Sequence, residues 1–167
     1  RIIERASGRK AGVGFGVCVN PEFLREGTAI RDFREPPYTV VGVSSARDAT
    51  LMRAVYAGVN AEFIASEVPV AEMVKYACNS FHAVKVTFAN EVGAVCKAIG
   101  IDSHRVMEIF CKDTKLNISA SYLKPGFAFG GSCLPKDLRA LSQMARSKDQ
   151  VVPLLDSALS SNVRQIE

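Results

Sequence analysis

The stretch from Val68 to Ile99 constrains this chain more than any other. Pro69 at its start and Gly100 after its end are the punctuation expected of a helix. Between them Val70, Val74, Ala77, Phe81, Val84, Phe88, Val92 and Val95 recur at helical spacing. Roughly thirty helical residues span about 45 Å, long for a globular helix. A chain carrying such an element is expected to be mainly α, with other helices packed against its apolar side.

The polar residues of that helix form a pattern of their own. At about 100° per residue, Lys75, Asn79, His82 and Asn90 fall within an arc of about 80°. A solvated face normally carries several Glu and Lys side chains, whereas this stripe is rich in hydrogen-bond donors and poor in charge. Each residue alone is ordinary. Together they suit a polyhydroxylated, anionic ligand.

A second stretch carries the chemistry. In Gly126-Phe127-Ala128-Phe129-Gly130-Gly131-Ser132-Cys133-Leu134-Pro135-Lys136-Asp137, a glycine run delivers a cysteine to a helix start. Pro135 suits the first turn, having a fixed φ and no N–H to leave unpaired. Helix N-termini favour negative charge and so favour a thiolate. Lys136 adds a positive charge, and Asp137 lies one turn from the sulfur, where a carboxylate can orient or deprotonate water. A lone cysteine after a glycine turn is ordinarily a buried core residue. Pro-Lys-Asp behind Gly-Gly-Ser-Cys turns that reading toward a nucleophile.

Composition excludes several classes. The 167 residues are 48% hydrophobic and 23% charged, a globular composition long enough for one sizeable core or one domain and part of another. The net charge of +4 is spread over scattered basic residues, with no basic patch for nucleic acid. No apolar run is long enough to span a membrane, and neither a signal peptide nor an initiator Met is present. Cys18, Cys78, Cys96, Cys111 and Cys133 show neither a C-x-x-C pair nor metal-ligand spacing with the two histidines. Most are expected to be core residues of a reduced, cytoplasmic protein. The opening Arg1-Ile2-Ile3-Glu4-Arg5 has no helix cap before it, as though the chain begins within a domain.

The remaining segments read as follows. Arg1 to Lys10 is the end of a helix closed by Gly8, and Val13 to Val19 a buried strand. Gly12-Val13-Gly14-Phe15-Gly16 lacks the third glycine at the spacing of a dinucleotide fingerprint, and an acidic residue about twenty positions on after a second strand. Asn20 to Ile30 is a loop at the mouth of that strand, where α/β ligands bind. In it Glu22 and Glu26 are four apart and would share a face of a helical turn. Arg31 to Pro37 is a polar loop, Tyr38 to Val43 a strand, and Ala46 to Tyr56 a helix. Asp102 or Ser103 caps a helix through Phe110. Lys112 to Lys124 is a polar connection whose length suggests function. Leu134 to Arg146 is a helix with Leu138, Leu141 and Met144 inward, and Pro153 opens a last helix, Leu154 to Gln165.

Three motifs then stand in one order: Asn20-Pro21-Glu22-Phe23-Leu24-Arg25-Glu26-Gly27, Lys75-Tyr76-Ala77-Cys78-Asn79 and Gly130-Gly131-Ser132-Cys133-Leu134-Pro135-Lys136-Asp137. They resemble the nucleotide-sugar 6-dehydrogenases over essentially the whole chain. Leu134, where the UDP-glucose branch usually has an aromatic residue, and the stretch Lys115-Leu116-Asn117 through Lys124-Pro125-Gly126-Phe127-Ala128-Phe129 look like the branch acting on GDP-mannose in alginate-precursor synthesis.

The resemblance implies a helical central dimerisation domain built on the long helix, with a small α/β (Rossmann-end) remnant before it. Residues 1–66 would be the end of an NAD-binding domain and residues 67–167 the central domain. The family's NAD fingerprint would lie upstream of Arg1 and its third domain downstream, so this segment alone is expected to be inactive. The implied reaction is four-electron oxidation of the sugar C6 alcohol to a carboxylate with two NAD. Cys133 would be the nucleophile, Lys75 the stabiliser of oxyanion charge, and Asp137 and Glu22 the carboxylates that handle water. Asn79 would join this catalytic set. Leu24, Glu26, His82, Asn90, Tyr122, Lys124, Phe127 and Gly130 would line the sugar-nucleotide site, and Lys136 would approach NAD. No metal is implied, and a homodimer through the long helix is. Three other readings compete: a non-catalytic dimerisation or sugar-nucleotide-binding module, a UDP-glucose 6-dehydrogenase segment, and a thiol acyltransferase or hydrolase. No histidine is placed to activate the thiol for the last.

Overall fold

The computed structural model describes residues 1–123 and 125–167. The chain divides into two compact units, Arg1–Phe81 and His82–Glu167.

The first unit opens with α1 (Ile2–Ser7), closed by Gly8 in the left-handed conformation. After a long loop come α2 (Ala29–Arg34), β1 (Tyr38–Gly42), α3 (Ala46–Val55) and β2 (Glu62–Ser66). β1 and β2 pair in parallel, with Tyr38 opposite Glu62 and Gly42 opposite Ser66. Parallel neighbours need a crossover, and α3 provides it, with the Ser45 side chain accepting from the Asp48 N–H at its start. Val40 and Val41 of β1 are buried along with Ala71, the apolar run expected of a strand covered on both faces. Gly42 permits a close approach, since a Cβ there would lie 2.7 Å from the Val68 Cα. α4 (Val68–Ala98) starts in this unit and ends in the second.

The second unit contains the end of α4, then α5 (Ser103–Phe110), α6 (Cys133–Arg146) and α7 (Pro153–Arg164). Asp102 caps α5 by accepting from the N–H groups of His104 and Arg105. The core is Val95, Ala145, Val152 and Leu155, with Phe88, Leu138 and Leu141 packed on it. The Phe88 and Phe110 rings meet with centroids 5.7 Å apart. Helices thus dominate, with one small parallel sheet among the described residues.

Several expectations fail for identifiable reasons. Val13 to Val19 is not a strand: Gly12 turns with φ 82°, Val13 is 83% exposed, and the segment makes only isolated bridges, Phe15 to Ala11 and Val19 to Gly42. Gly14 and Gly16, at alternating positions, leave that segment little to pack. Arg31 to Pro37 is not wholly loop, because α2 occupies its first half. β2 has no counterpart in the sequence reading. Met144 points outward, since the buried line of α6 runs through Leu138, Leu141, Ser142 and Ala145 and leaves Met144 about one residue, or 100°, off it. Of the five cysteines only Cys96 is buried, while Cys111 and Cys133 are exposed. No described helix is long and apolar enough to cross a membrane.

Candidate functional site

In the first unit, the loop after Val19 is tied down by its own polar groups. Asn20 Nδ2 donates to the Val40 carbonyl at 3.0 Å, and the Tyr56 hydroxyl donates to Asn20 Oδ1. Phe23 stands edge-on to Tyr38, with ring centroids 5.6 Å apart. Asp32 of α2 gathers the rest, accepting from the Arg25 N–H, from the Arg25 guanidinium and from the Thr28 hydroxyl. That guanidinium holds the Asp32 carboxyl far below the usual carboxylate range.

Lys75 of α4 reaches this loop. Its Nζ lies 2.9 Å from Glu22 Oε1, also donates to the Glu22 carbonyl, and sits 5.5 Å over the Phe23 ring. Glu22 Oε2 accepts from the Leu24 N–H at 2.8 Å. The Lys75 hydrogen bond, then the Leu24 N–H, lower the Glu22 carboxyl from its ordinary value. Two of the sequence-predicted residues, 53 positions apart, are therefore one ion pair. An ammonium has three donors and Glu22 takes two, leaving one for a further acceptor. Leu24, Glu26 and Asn79 are exposed in the same unit.

In the second unit, Cys133 is itself the first residue of α6. Gly131 precedes it with φ 78°, a conformation glycine adopts without strain. Ser132 makes no side-chain cap, and its hydroxyl lies 3.8 Å from the Cys133 sulfur. Lys136 Nζ is 3.5 Å from Asp137 Oδ1, and both side chains are exposed. Asp137 follows Cys133 by four positions and shares its helix face. His82 and Asn90 are exposed on α4, and Phe127 and Gly130 are exposed before α6. Tyr122 is exposed in the left-handed conformation, φ 62°, which is rare for an aromatic residue. Lys124 lies outside the described residues.

Sequence reasoning missed the groups that hold these loops. Asn162 and Gln165, at the end of α7, hydrogen-bond to the backbone of Phe129 and Gly126. A faint signal existed, because Asn is a poor residue for a helix interior and needs another reason to be there.

Residues 69–164 match the model of the UDP-glucose/GDP-mannose dehydrogenase family, central domain, and residues 1–60 match the same family's NAD binding domain. The GDP-mannose 6-dehydrogenase of Pseudomonas putida is 54% identical over 166 residues, covering 99% of this chain and 38% of that protein. Among solved structures, the ternary complex of GDP-mannose dehydrogenase from Pseudomonas aeruginosa is 53% identical, with a TM-score of 0.96 over 99% of this chain and 38% of that one. A UDP-glucose dehydrogenase from Pyrobaculum islandicum is 40% identical, with a TM-score of 0.61 over 92% of this chain and 35% of that one. The chain thus spans about two-fifths of the length of these relatives (38% for the first two). With the two domain models matched in chain order, this protein belongs to the UDP-glucose/GDP-mannose dehydrogenase family.

Proposed function

We propose that this chain is the nucleophile-bearing and sugar-binding part of a GDP-mannose 6-dehydrogenase, which oxidises GDP-mannose to GDP-mannuronate. The observation that carries this reading is the 53% identity to a GDP-mannose dehydrogenase against 40% to a UDP-glucose dehydrogenase. In domain terms, residues 1–66 end the NAD-binding domain and residues 67–167 form the central domain.

Two oxidations remove four electrons, and NAD, when bound, accepts the hydride of each. The described residues fit only a share of an NAD site. Lys136 offers an exposed ammonium for a phosphate. The turn from β1 into α3 is a poor phosphate cradle, because buried Asp48 places a carboxylate in its first turn.

The chain's own residues account for the covalent steps. The Cys133 sulfur adds to the C6 aldehyde carbon as the aldehyde oxygen takes a proton, giving a thiohemiacetal. Loss of a hydride and a proton converts this to a thioester. Water then attacks the thioester carbon, the C–S bond breaks, and carboxylate and thiol are released. Lys75 supplies positive charge to the oxygen that becomes anionic. Asp137 and Glu22 are the carboxylates that take the proton of the attacking water. Asn79, His82 and Asn90, with Leu24, Glu26, Tyr122, Lys124, Phe127 and Gly130, bind the sugar nucleotide.

A homodimer through α4 completes the proposal. Residues 79–87 of α4 are all exposed, Val84 and Val86 among them, and an apolar helix surface of this kind is stabilised by a partner.

The test is NAD reduction with GDP-mannose and UDP-glucose offered in parallel. It is run on the purified chain and on a chimera in which it replaces the matching segment of the Pseudomonas putida protein. About two NADH per GDP-mannose, with little from UDP-glucose, is expected of the chimera. Preference for UDP-glucose reassigns the substrate. Binding of GDP-mannose with no NADH from the chimera points instead to a binding module.

A further inference from the structure

Asn162 and Phe129 are 33 residues apart and meet through two hydrogen bonds. The Phe129 N–H donates to Asn162 Oδ1 at 2.7 Å, and Asn162 Nδ2 donates to the Phe129 carbonyl at 2.8 Å. One planar carboxamide thus satisfies both backbone groups of one residue, the exchange an antiparallel strand neighbour makes with an extended residue. Gln165, three positions further on, donates from Nε2 to the Gly126 carbonyl at 2.8 Å. The end of α7 therefore holds the chain just before the glycine pair.

On the far side of that pair stands Cys133, in a first turn with little to hold it. Ser132 does not cap it with a side-chain hydrogen bond, and Pro135 has no N–H to offer. Further along, α6 is anchored by Leu138 and Leu141. Gly130, Gly131 and Ser132 are thus the span between two fixed points, Phe129 and the packed part of α6. A span with two glycines explores many conformers unless its ends are held.

We propose that Asn162 is a positioning residue for Cys133. By holding both backbone groups of Phe129, its carboxamide fixes the entry of the Gly130–Ser132 span, and with it the uncapped turn that carries the sulfur. The proposal rests on the reading of Cys133 as nucleophile, yet its geometry can be tested without turnover.

The test uses the chain itself with Asn162→Ala and Asn162→Asp. The aspartate keeps the shape and the acceptor but, ionised, has no donor for the Phe129 carbonyl. Two quantities are read: amide exchange at Phe129, and alkylation of Cys133 by iodoacetamide relative to the exposed Cys111 of the same molecule. Exchange at Val95 and Leu155 reports whether the core is intact. In Asn162→Ala, Phe129 exchange is expected to rise about tenfold, the loss of roughly one hydrogen bond, with the core amides unchanged, whereas Asn162→Asp keeps the acceptor for that N–H and is read by the alkylation ratio. The Cys133-to-Cys111 ratio is expected to move by about threefold or more. Phe129 exchange in Asn162→Ala equal to that of the parent overturns the proposal, and so does faster exchange in that variant with an unmoved alkylation ratio. Either result stands apart from the nucleophile reading, which fails on a different finding, turnover by Cys133→Ser.

Discussion

The carboxylate of Glu91 on α4 caps Leu154 on α7, with Oε1 accepting the Leu154 N–H at 2.7 Å. Its second oxygen accepts the Leu155 N–H at 3.0 Å. These are the N–H groups a local N-cap would serve, but the N-cap here is Val152, which has no polar side chain, and Pro153 has no N–H. A residue more than sixty positions away does the work of a neighbour.

Removing that carboxylate strands two donors beside the buried Leu155 and Val152. Glu91→Ala is expected to cost about 3–5 kcal/mol, because bonds to a charged acceptor contribute about 1.5–3 kcal/mol each and the Leu155 donor is buried. Glu91→Gln keeps one acceptor and should cost about half as much. Urea unfolding monitored by circular dichroism measures both.

Gly130 and Gly131 are adjacent, but substitution should affect them differently. A Cβ at either meets nothing within 4 Å, so only the backbone decides. Gly131 has φ 78°, and Gly131→Ala should destabilise by about 1–2 kcal/mol. Gly130 is not in the left-handed region, and Gly130→Ala should change stability by less than about 1 kcal/mol. Thermal melts of the two variants side by side make the comparison.

The Lys75–Glu22 pair predicts a pH signature. The folded Glu22 carboxyl lies below its unfolded value, first because of Lys75 and then because of the Leu24 N–H. Its stabilising effect is therefore fully present above an unfolded carboxylate value of about 4.3 and is lost as the pH falls through the lowered folded value. Lys75→Met should raise the Glu22 titration toward about 4.3. Carboxyl-carbon NMR across that range reads the shift, and an unmoved titration would contradict the pairing.

Cys133→Ser, placed in the Pseudomonas putida chimera, should abolish production of the acid. An alcohol is a far weaker nucleophile than a thiolate near neutral pH, so the covalent intermediate does not form. Full turnover by this variant would overturn the mechanism. Loss of the acid with GDP-mannose binding retained is the expected result.

Much of the second unit was legible because its signals are local. The Asp102 cap, Pro153 at a helix start, Gly100 at a helix end and the apolar spacing of α4 each act within a turn or two of chain. The motif around Cys133 was legible for the same reason. The segment from Val13 to Val19 misled, since valines at strand spacing look alike whether or not a neighbouring strand exists. With only the isolated bridges Ala11–Phe15 and Val19–Gly42 in place of a strand ladder, the chain turns at Gly12 instead.

The sequence by itself determined the helical architecture, the position of Cys133 at a helix start and the motifs that mark the family. Tertiary structure decided the partners: Lys75 with Glu22, Glu91 over the first turn of α7, and Asn162 on Phe129. The physical reason is one of range. Periodicity and capping depend on nearest neighbours along the chain. A long-range hydrogen bond depends on which backbone groups folding leaves unsatisfied and which side chain then comes within about 3 Å of them.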